Sequence, residues 1–336
     1  MRKITDLKSD YPYTRSRLES YPWLMAGPED KKRIHIAGLG DVGQNAALTL
    51  RLIGGERIRK IGIYDTNPKL VSRLEIELNQ ILTPFSPAPV PEVVPLDPEN
   101  LFDCDVFLVS AAAGVPAVGE EAKGDVRMAQ YEKNRAIVTA YASQALRQDY
   151  RALFGVVSDP VDLLCQDAAR FLHPEQIQGF GLGVMFARAA YYAAKRSASD
   201  PRFSCFLQSG RVYGPHGSGL VAVNSILPEH YDSAATQKLT NLTVGANISV
   251  RALGYKPYIA PGVSSVGLTI PEVIAGNWND SARYLNGVFF GARNRIAPGG
   301  TRWEKDPLPD ELFYLLRQSY RRLDKAMNAP GEYPPG

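Results

Sequence analysis

The stretch RIHIAGLGDVGQNAALTLRLIGG, Arg33–Gly55, followed closely by RKIGIYD, Arg59–Asp65, constrains the fold more than any other part of this chain. RIHIA is rich in β-branched residues and reads as a strand. Val42, Ala46, Leu50 and Ile53 then recur at helical spacing and stop at a glycine pair. RKIGIYD is a second strand that ends on an acid. Strand, glycine turn, helix and strand in about thirty residues form a βαβ unit, whose two strands must run parallel. Its turn, GLGDVG, is a G-x-G-x-x-G with a mechanical purpose for each position. Gly38 permits the tight turn, Gly40 lets a pyrophosphate approach the backbone, and Gly43 lets the helix pack against the strand. Asp41 and Val42 open the helix, whose N-terminal N–H groups and partial positive charge suit phosphate oxygens. Asp65 is placed to accept hydrogen bonds from ribose hydroxyls and would repel a 2′-phosphate, so the expected cofactor is NAD.

The alternation continues downstream. A helix is expected from Pro68 to Leu82, then a proline-rich loop and a short strand. CDVFLVSAAAG is an almost wholly apolar strand, as expected of a parallel strand covered on both faces. Helical segments follow at Val126–Asn134 and Ala136–Arg147, and ALFGVVSDPVD closes the series. The fold class expected is α/β: an N-terminal Rossmann domain with a doubly wound parallel sheet, and a C-terminal α+β substrate domain. The boundaries expected are an arm over 1–32, an NAD-binding domain over 33–160 and a substrate domain over 161–330. The last contains the helix PDELFYLLRQSYRRLDKAM.

Bulk properties exclude several classes. A formal charge of +3 over 336 residues carries no nucleic-acid or polybasic membrane signal. No apolar run reaches the length of a membrane span, and MRKITDLKSD lacks the apolar core of a signal peptide. The three cysteines, Cys104, Cys165 and Cys205, are widely spaced, which suggests free thiols in a cytoplasmic protein and no metal site.

Beyond the glycine turn, five stretches in order resemble the lactate/malate dehydrogenase family. They are GLGDVG with Asp65; SAAAG at Ser110–Gly114, with Ala112 and Gly114 in a turn against the cofactor; RMAQYEKN at Arg127–Asn134; VVSDPVDLL at Val156–Leu164; and GFGLGVMFAR at Gly179–Arg188 with GPHGS at Gly214–Ser218. The resemblance implies hydride transfer between NAD and C2 of a 2-hydroxy or 2-oxo acid. It makes His216 the proton donor and acceptor, Arg188 the clamp for the substrate carboxylate, and Arg127 the residue that polarises the carbonyl. It also implies a small-molecule substrate and a homodimer or homotetramer.

Three departures set this chain apart. Met185 stands where the family has an aspartate that holds the histidine's other nitrogen. Asp159 stands where the family has a neutral asparagine, so it is a further candidate catalytic residue, able to pair with His216 in place of the lost acid or to bind a cationic group. The segment between Gly114 and Arg127 is longer than usual and carries Glu120 and Glu121, which disfavour a second substrate carboxylate such as malate's. Two alternatives stay open: a non-catalytic NAD-binding protein, and a dehydrogenase for a larger or amino-bearing substrate. Of the other histidines, His35 is expected to be packed in the first strand, and His173 and His230 to be solvated in loops.

Overall fold

A computed structural model describes residues 2–13, 30–82, 84–85, 89–113 and 126–328, the side chains of 126–130 excepted. The first half alternates strand and helix: β1 (Lys32–Ala37), α1 (Asp41–Ile53), β2 (Ile58–Tyr64), α2 (Pro68–Asn79), β3 (Glu92–Pro95), β4 (Val106–Val109), α3 (Val126–Arg147), β5 (Leu153–Val156), α4 (Val161–Ala168) and β6 (Ile177–Gly179). These six strands are parallel in the order β3-β2-β1-β4-β5-β6. The order reverses direction between β1 and β4, and that reversal opens a crevice at the strands' carboxyl ends, where open α/β sheets bind ligands. VFLV in β4 and LFGV in β5 are buried at every residue, because helices cover both faces.

Three local expectations change. The parallel series does not end at Val156 but gains β6, too short to show a period in sequence. The two helical segments near 126–147 are one continuous helix, since nothing at Arg135 breaks the hydrogen-bond ladder. The second helix stops at Asn79, three residues early. It begins with Asn67 Oδ1 accepting the Leu70 N–H and with Pro68 at its first position.

The second half contributes α5 (Leu182–Arg196), β7 (Arg211–Tyr213), β8 (Val221–Val223), α6 (Ser233–Arg251), a π-helical segment at Pro261–Gly267, α7 (Thr269–Ile274), β9 (Asn279–Leu285), β10 (Val288–Ala297), β11 (Gly300–Trp303) and α8 (Asp310–Asn328). Strands β9, β10 and β11 are antiparallel and extend the parallel sheet, with β9 beside β6, to nine strands. A buried amide and hydroxyl network seals that junction: Gln178 Nε2 donates to Ser281 Oγ at 2.8 Å, and Asn294 Nδ2 donates to the same oxygen at 3.0 Å. The β7–β8 ribbon is anchored to β10, where the Gly214 N–H donates to the Gly291 carbonyl at 2.9 Å.

The described part of the N-terminal arm, residues 2–13, straps the last helix. Ile4 and Leu7 are buried in the core, and Asp324 on α8 accepts Ser9 Oγ at 2.6 Å and the Asp10 N–H at 2.8 Å. Among the described residues no helix is long and apolar enough to cross a membrane.

Candidate active site

The β1–α1 turn is a backbone construction. Gly38 has φ +94°, and a Cβ there would lie 2.3 Å from the Ala111 nitrogen in the turn after β4. A Cβ on Gly43 would lie 2.1 Å from the Gly38 carbonyl oxygen. Either side chain would drive backbone into backbone, so sterics dictate both glycines. Gly40, the N-cap of α1, is different: a Cβ there meets nothing within 4 Å. The space over the helix N-terminus, where Asp41 and Val42 begin α1, suits a group that must approach main-chain N–H donors closely. Asp65 follows β2; its Oδ2 accepts the Leu39 N–H at 2.8 Å and its Oδ1 the Asn67 N–H at 2.9 Å. The carboxylate is thereby held at the lip of the turn with lone pairs to spare. Ala112 lies exposed in the turn after β4. The residues present fit a dinucleotide; Gly114 lies outside the described residues.

The turns after β4 and β5 are stapled together by buried side chains. Asn134, on α3 and 1% exposed, accepts the Ala113 N–H at 2.9 Å and donates to the Asp159 carbonyl at 2.6 Å. Ser158 Oγ donates to the Ala111 carbonyl at 2.6 Å. A single network therefore runs from the glycine turn, through Ala111 and Ala113, to Asp159.

Asp159 meets His216. The imidazole packs against Gly181, the N-cap of α5, where a Cβ would come within 2.8 Å of the ring. His216 Nδ1 lies 2.8 Å from the Gly181 carbonyl oxygen, which can only accept, so this nitrogen carries a proton. The loop itself is held by Asp162, buried in the first turn of α4, whose Oδ2 accepts the His216 N–H at 2.9 Å. Nε2 faces Asp159 Oδ1 at 3.7 Å. The Asp159 side chain as a whole is 39% exposed, but its Oδ1 is buried and accepts no hydrogen bond from the described residues.

The geometry brings Asp159 to His216, as a pairing of the two requires, but at Nε2. The missing aspartate would hold Nδ1, which is occupied by the Gly181 carbonyl; Asp159 stands on the opposite side of the ring. Met185, fully buried, has its sulfur 3.5 Å from Arg188 Nη1. Arg188 Nη2 also donates to Asn247 Oδ1 on α6. Arg188 is seven residues beyond Gly181, so it lies on the same face of α5, about 10 Å further along the axis. Its guanidinium reaches back along the helix to the Met185 sulfur. Arg127 lies in the first turn of α3, and its side chain is outside the described residues, as are Glu120 and Glu121.

Sequence reasoning left Gly181, Asp162, Asn134 and Asn247 without a role. Asp162 and Gly181 lie inside the quoted motifs, but their roles depend on the histidine loop folding onto them from a distant part of the chain. Two other histidines are structural. His35 is buried with Nδ1 2.8 Å from the Leu101 carbonyl, and burial pushes its pKa below 6.5. His173 is half-buried, not solvated: its Nδ1 accepts the Glu175 N–H as the cap of a short 3₁₀ turn, and desolvation lowers its pKa too.

No family model matches the chain. It does align with curated proteins named L-lactate dehydrogenase: 26% identity over 200 residues with that of Treponema denticola, covering 59% of each chain, and 30% over 196 residues with that of Geotalea daltonii, covering 56% of this chain and 57% of the relative. Over this stretch the chain is similar, at a divergent level, to proteins of the lactate/malate dehydrogenase family. The match spans less than two thirds of the length of those family members. Solved structures extend the likeness in fold to nearly the whole chain. A minor L-lactate dehydrogenase from Enterococcus mundtii has a TM-score of 0.72 at 19% identity, covering 90% of this chain and 99% of its own. A malate dehydrogenase from Picrophilus torridus has 0.71 at 16%, covering 89% and 97%.

Proposed function

We propose that this protein is an NAD-dependent oxidoreductase that moves a hydride to or from C2 of a 2-hydroxy or 2-oxo acid, or of a close analogue with a different group at C2. The observation that carries this reading is the continuous network from the glycine turn through Asn134 and Asp159 to His216. It supports reading the two adjacent turns on the carboxyl edge of one sheet as a dinucleotide cradle and a proton-transfer group. NAD, when bound, supplies the hydride acceptor or donor. Gly38, Gly40 and the α1 N-terminus would hold its phosphates, Asp65 its ribose, and Ala112 would stand against it, a role that the resemblance extends to Gly114.

The chain's own residues supply the rest. His216, with Nδ1–H fixed by the Gly181 carbonyl, presents Nε2 as proton acceptor during oxidation and, once protonated, as donor during reduction. Arg188 clamps the carboxylate, for which a planar guanidinium suits bidentate contact. By resemblance, Arg127 is assigned the polarising of the C2 substituent and the exclusion of water. A neutral carbonyl orients the imidazole as an aspartate does but contributes no negative charge, so among the described residues Asp159 is the acid that faces the ring nitrogens. An amino-bearing substrate is the second reading, favoured by that acid. The subunits are expected to assemble as a homodimer or homotetramer.

Titration of the purified protein with NADH, followed by fluorescence, should show micromolar binding. His216→Ala should keep that binding while lowering turnover by about 10²- to 10⁴-fold. Absence of binding at millimolar NADH sinks the reading. Binding with no oxidation or reduction across a panel of 2-substituted acids leaves a non-catalytic NAD-binding protein.

A further inference from the structure

The next step rests on the reading of the site just given and concerns what sits at C2. Beside His216 the described residues offer acceptors. The proton of neutral His216 is committed at Nδ1 to the Gly181 carbonyl, so Nε2 presents a lone pair. Asp159 Oδ1, buried and accepting no hydrogen bond from the described residues, faces the same space. Among the described residues no lysine or arginine lies within ion-pair distance of Asp159. Asp162, whose Oδ2 accepts the His216 N–H, is itself a carboxylate and supplies no donor.

The 3.7 Å between Nε2 and Oδ1 is too long for a direct hydrogen bond and short enough to be bridged. A donor atom beside the pair can stand about 2.9 Å from both at once. A carbonyl oxygen there would face two acceptors, and an alcohol, with one O–H, can satisfy only one. A primary ammonium donates to both and keeps a third N–H, and its charge matches the carboxylate. We propose that the reacting group at C2 is a primary amine, borne by a 2-amino acid, and that Asp159 selects it.

The chemistry balances. His216 Nε2 takes one proton from the ammonium. The C2–H bond breaks, its electron pair leaves with the hydrogen as hydride to the oxidised dinucleotide, and the nitrogen lone pair closes the C=N bond. The cationic iminium remains beside Asp159. Water adds at C2 and the nitrogen departs as ammonium, giving the 2-oxo acid and releasing one proton overall. An asparagine at 159 would remove the charge and leave a site better matched to an oxygen.

The test is calorimetric titration of the NAD-saturated protein with three pairs: alanine and lactate, phenylalanine and phenyllactate, glutamate and 2-hydroxyglutarate. At least one amino acid should bind at least tenfold more tightly than its hydroxy partner, and Asp159→Asn should reverse that preference. On the wild-type protein, NADH oxidation by the matching 2-oxo acid should rise at least tenfold when ammonium is added. Equal affinities, tighter hydroxy acids, no amino acid binding or a preference that survives Asp159→Asn overturns the proposal. NADH fluorescence in the same samples separates the two levels. Failure to bind NADH removes the dehydrogenase reading itself, whereas NADH binding with a preference for hydroxy acids removes only the amine.

Discussion

The glycine turn and the histidine loop face the same carboxyl edge of the sheet, yet they are built on different principles. At the turn, backbone meets backbone: Gly38 against Ala111 and Gly43 against Gly38 leave no room for any Cβ. At the histidine, side chains and a carbonyl from three separate segments converge, namely Asp159 with Asp162, Gly181, and His216 itself. A site made by sterics tolerates little substitution and keeps its sequence signature. A site made by converging side chains can exchange partners one at a time, and this chain has done so at Met185 and Asp159.

The sharpest way to break that comparison is within the turn itself. Gly38→Ala combines a positive φ with a 2.3 Å approach to main chain and should cost about 4 kcal/mol or more, read by urea unfolding. Gly40→Val meets open space and should cost at most about 1 kcal/mol while weakening NADH binding at least tenfold. If Gly40→Val binds NADH normally, the space over α1 is not a phosphate cradle.

A smaller effect is expected where the two sites are joined. Asn134→Ala removes two part-buried hydrogen bonds and leaves the Ala113 N–H and Asp159 carbonyl without these partners, for a loss of about 2 kcal/mol by the same measurement. Stability within about 0.5 kcal/mol of wild type would show that the turns do not depend on this staple.

The smallest effect concerns a histidine with no part in the chemistry. Burial lowers the pKa of His35, so the unfolded chain binds its proton more readily than the folded one. Its contribution to stability is complete above about pH 6.5 and is lost as pH falls from there through the lowered folded value. Melting curves from pH 7.5 to 5 should fall more steeply for wild type than for His35→Gln. Parallel slopes would show that burial of His35 carries no proton linkage.

The same contrast explains what was legible in the sequence. The βαβ unit, the strand alternation and the terminal helix were readable because periodicity and glycine sterics act locally. Strand β6 was not, because three residues cannot display a period; tertiary pairing with β5 and β9 makes it a strand. His216 could be singled out through resemblance, and the loss of the usual acid at Met185 was visible in the sequence. That the Gly181 carbonyl takes the vacated partnership was not visible, since a backbone acceptor has no residue identity. Asp159 was recognisable as unusual, but which face of the imidazole it meets depends on how the turn after β5 and the loop after β7 come together.

The nine-stranded sheet has a mechanical consequence. Asp159 follows β5, Gly181 follows β6, and the histidine loop is tied through Gly214 to β10, all strands of one hydrogen-bonded sheet. The buried seam of Gln178, Ser281 and Asn294 locks β6 to the antiparallel strands beside it. A cleft whose two walls share a sheet has no hinge between them, so rigid-body opening of one half against the other is closed to this molecule. On the proposed function, admission and release of ligand would then be local, and the placement of His216 against Gly181 and Asp159 would not depend on movement of the sheet.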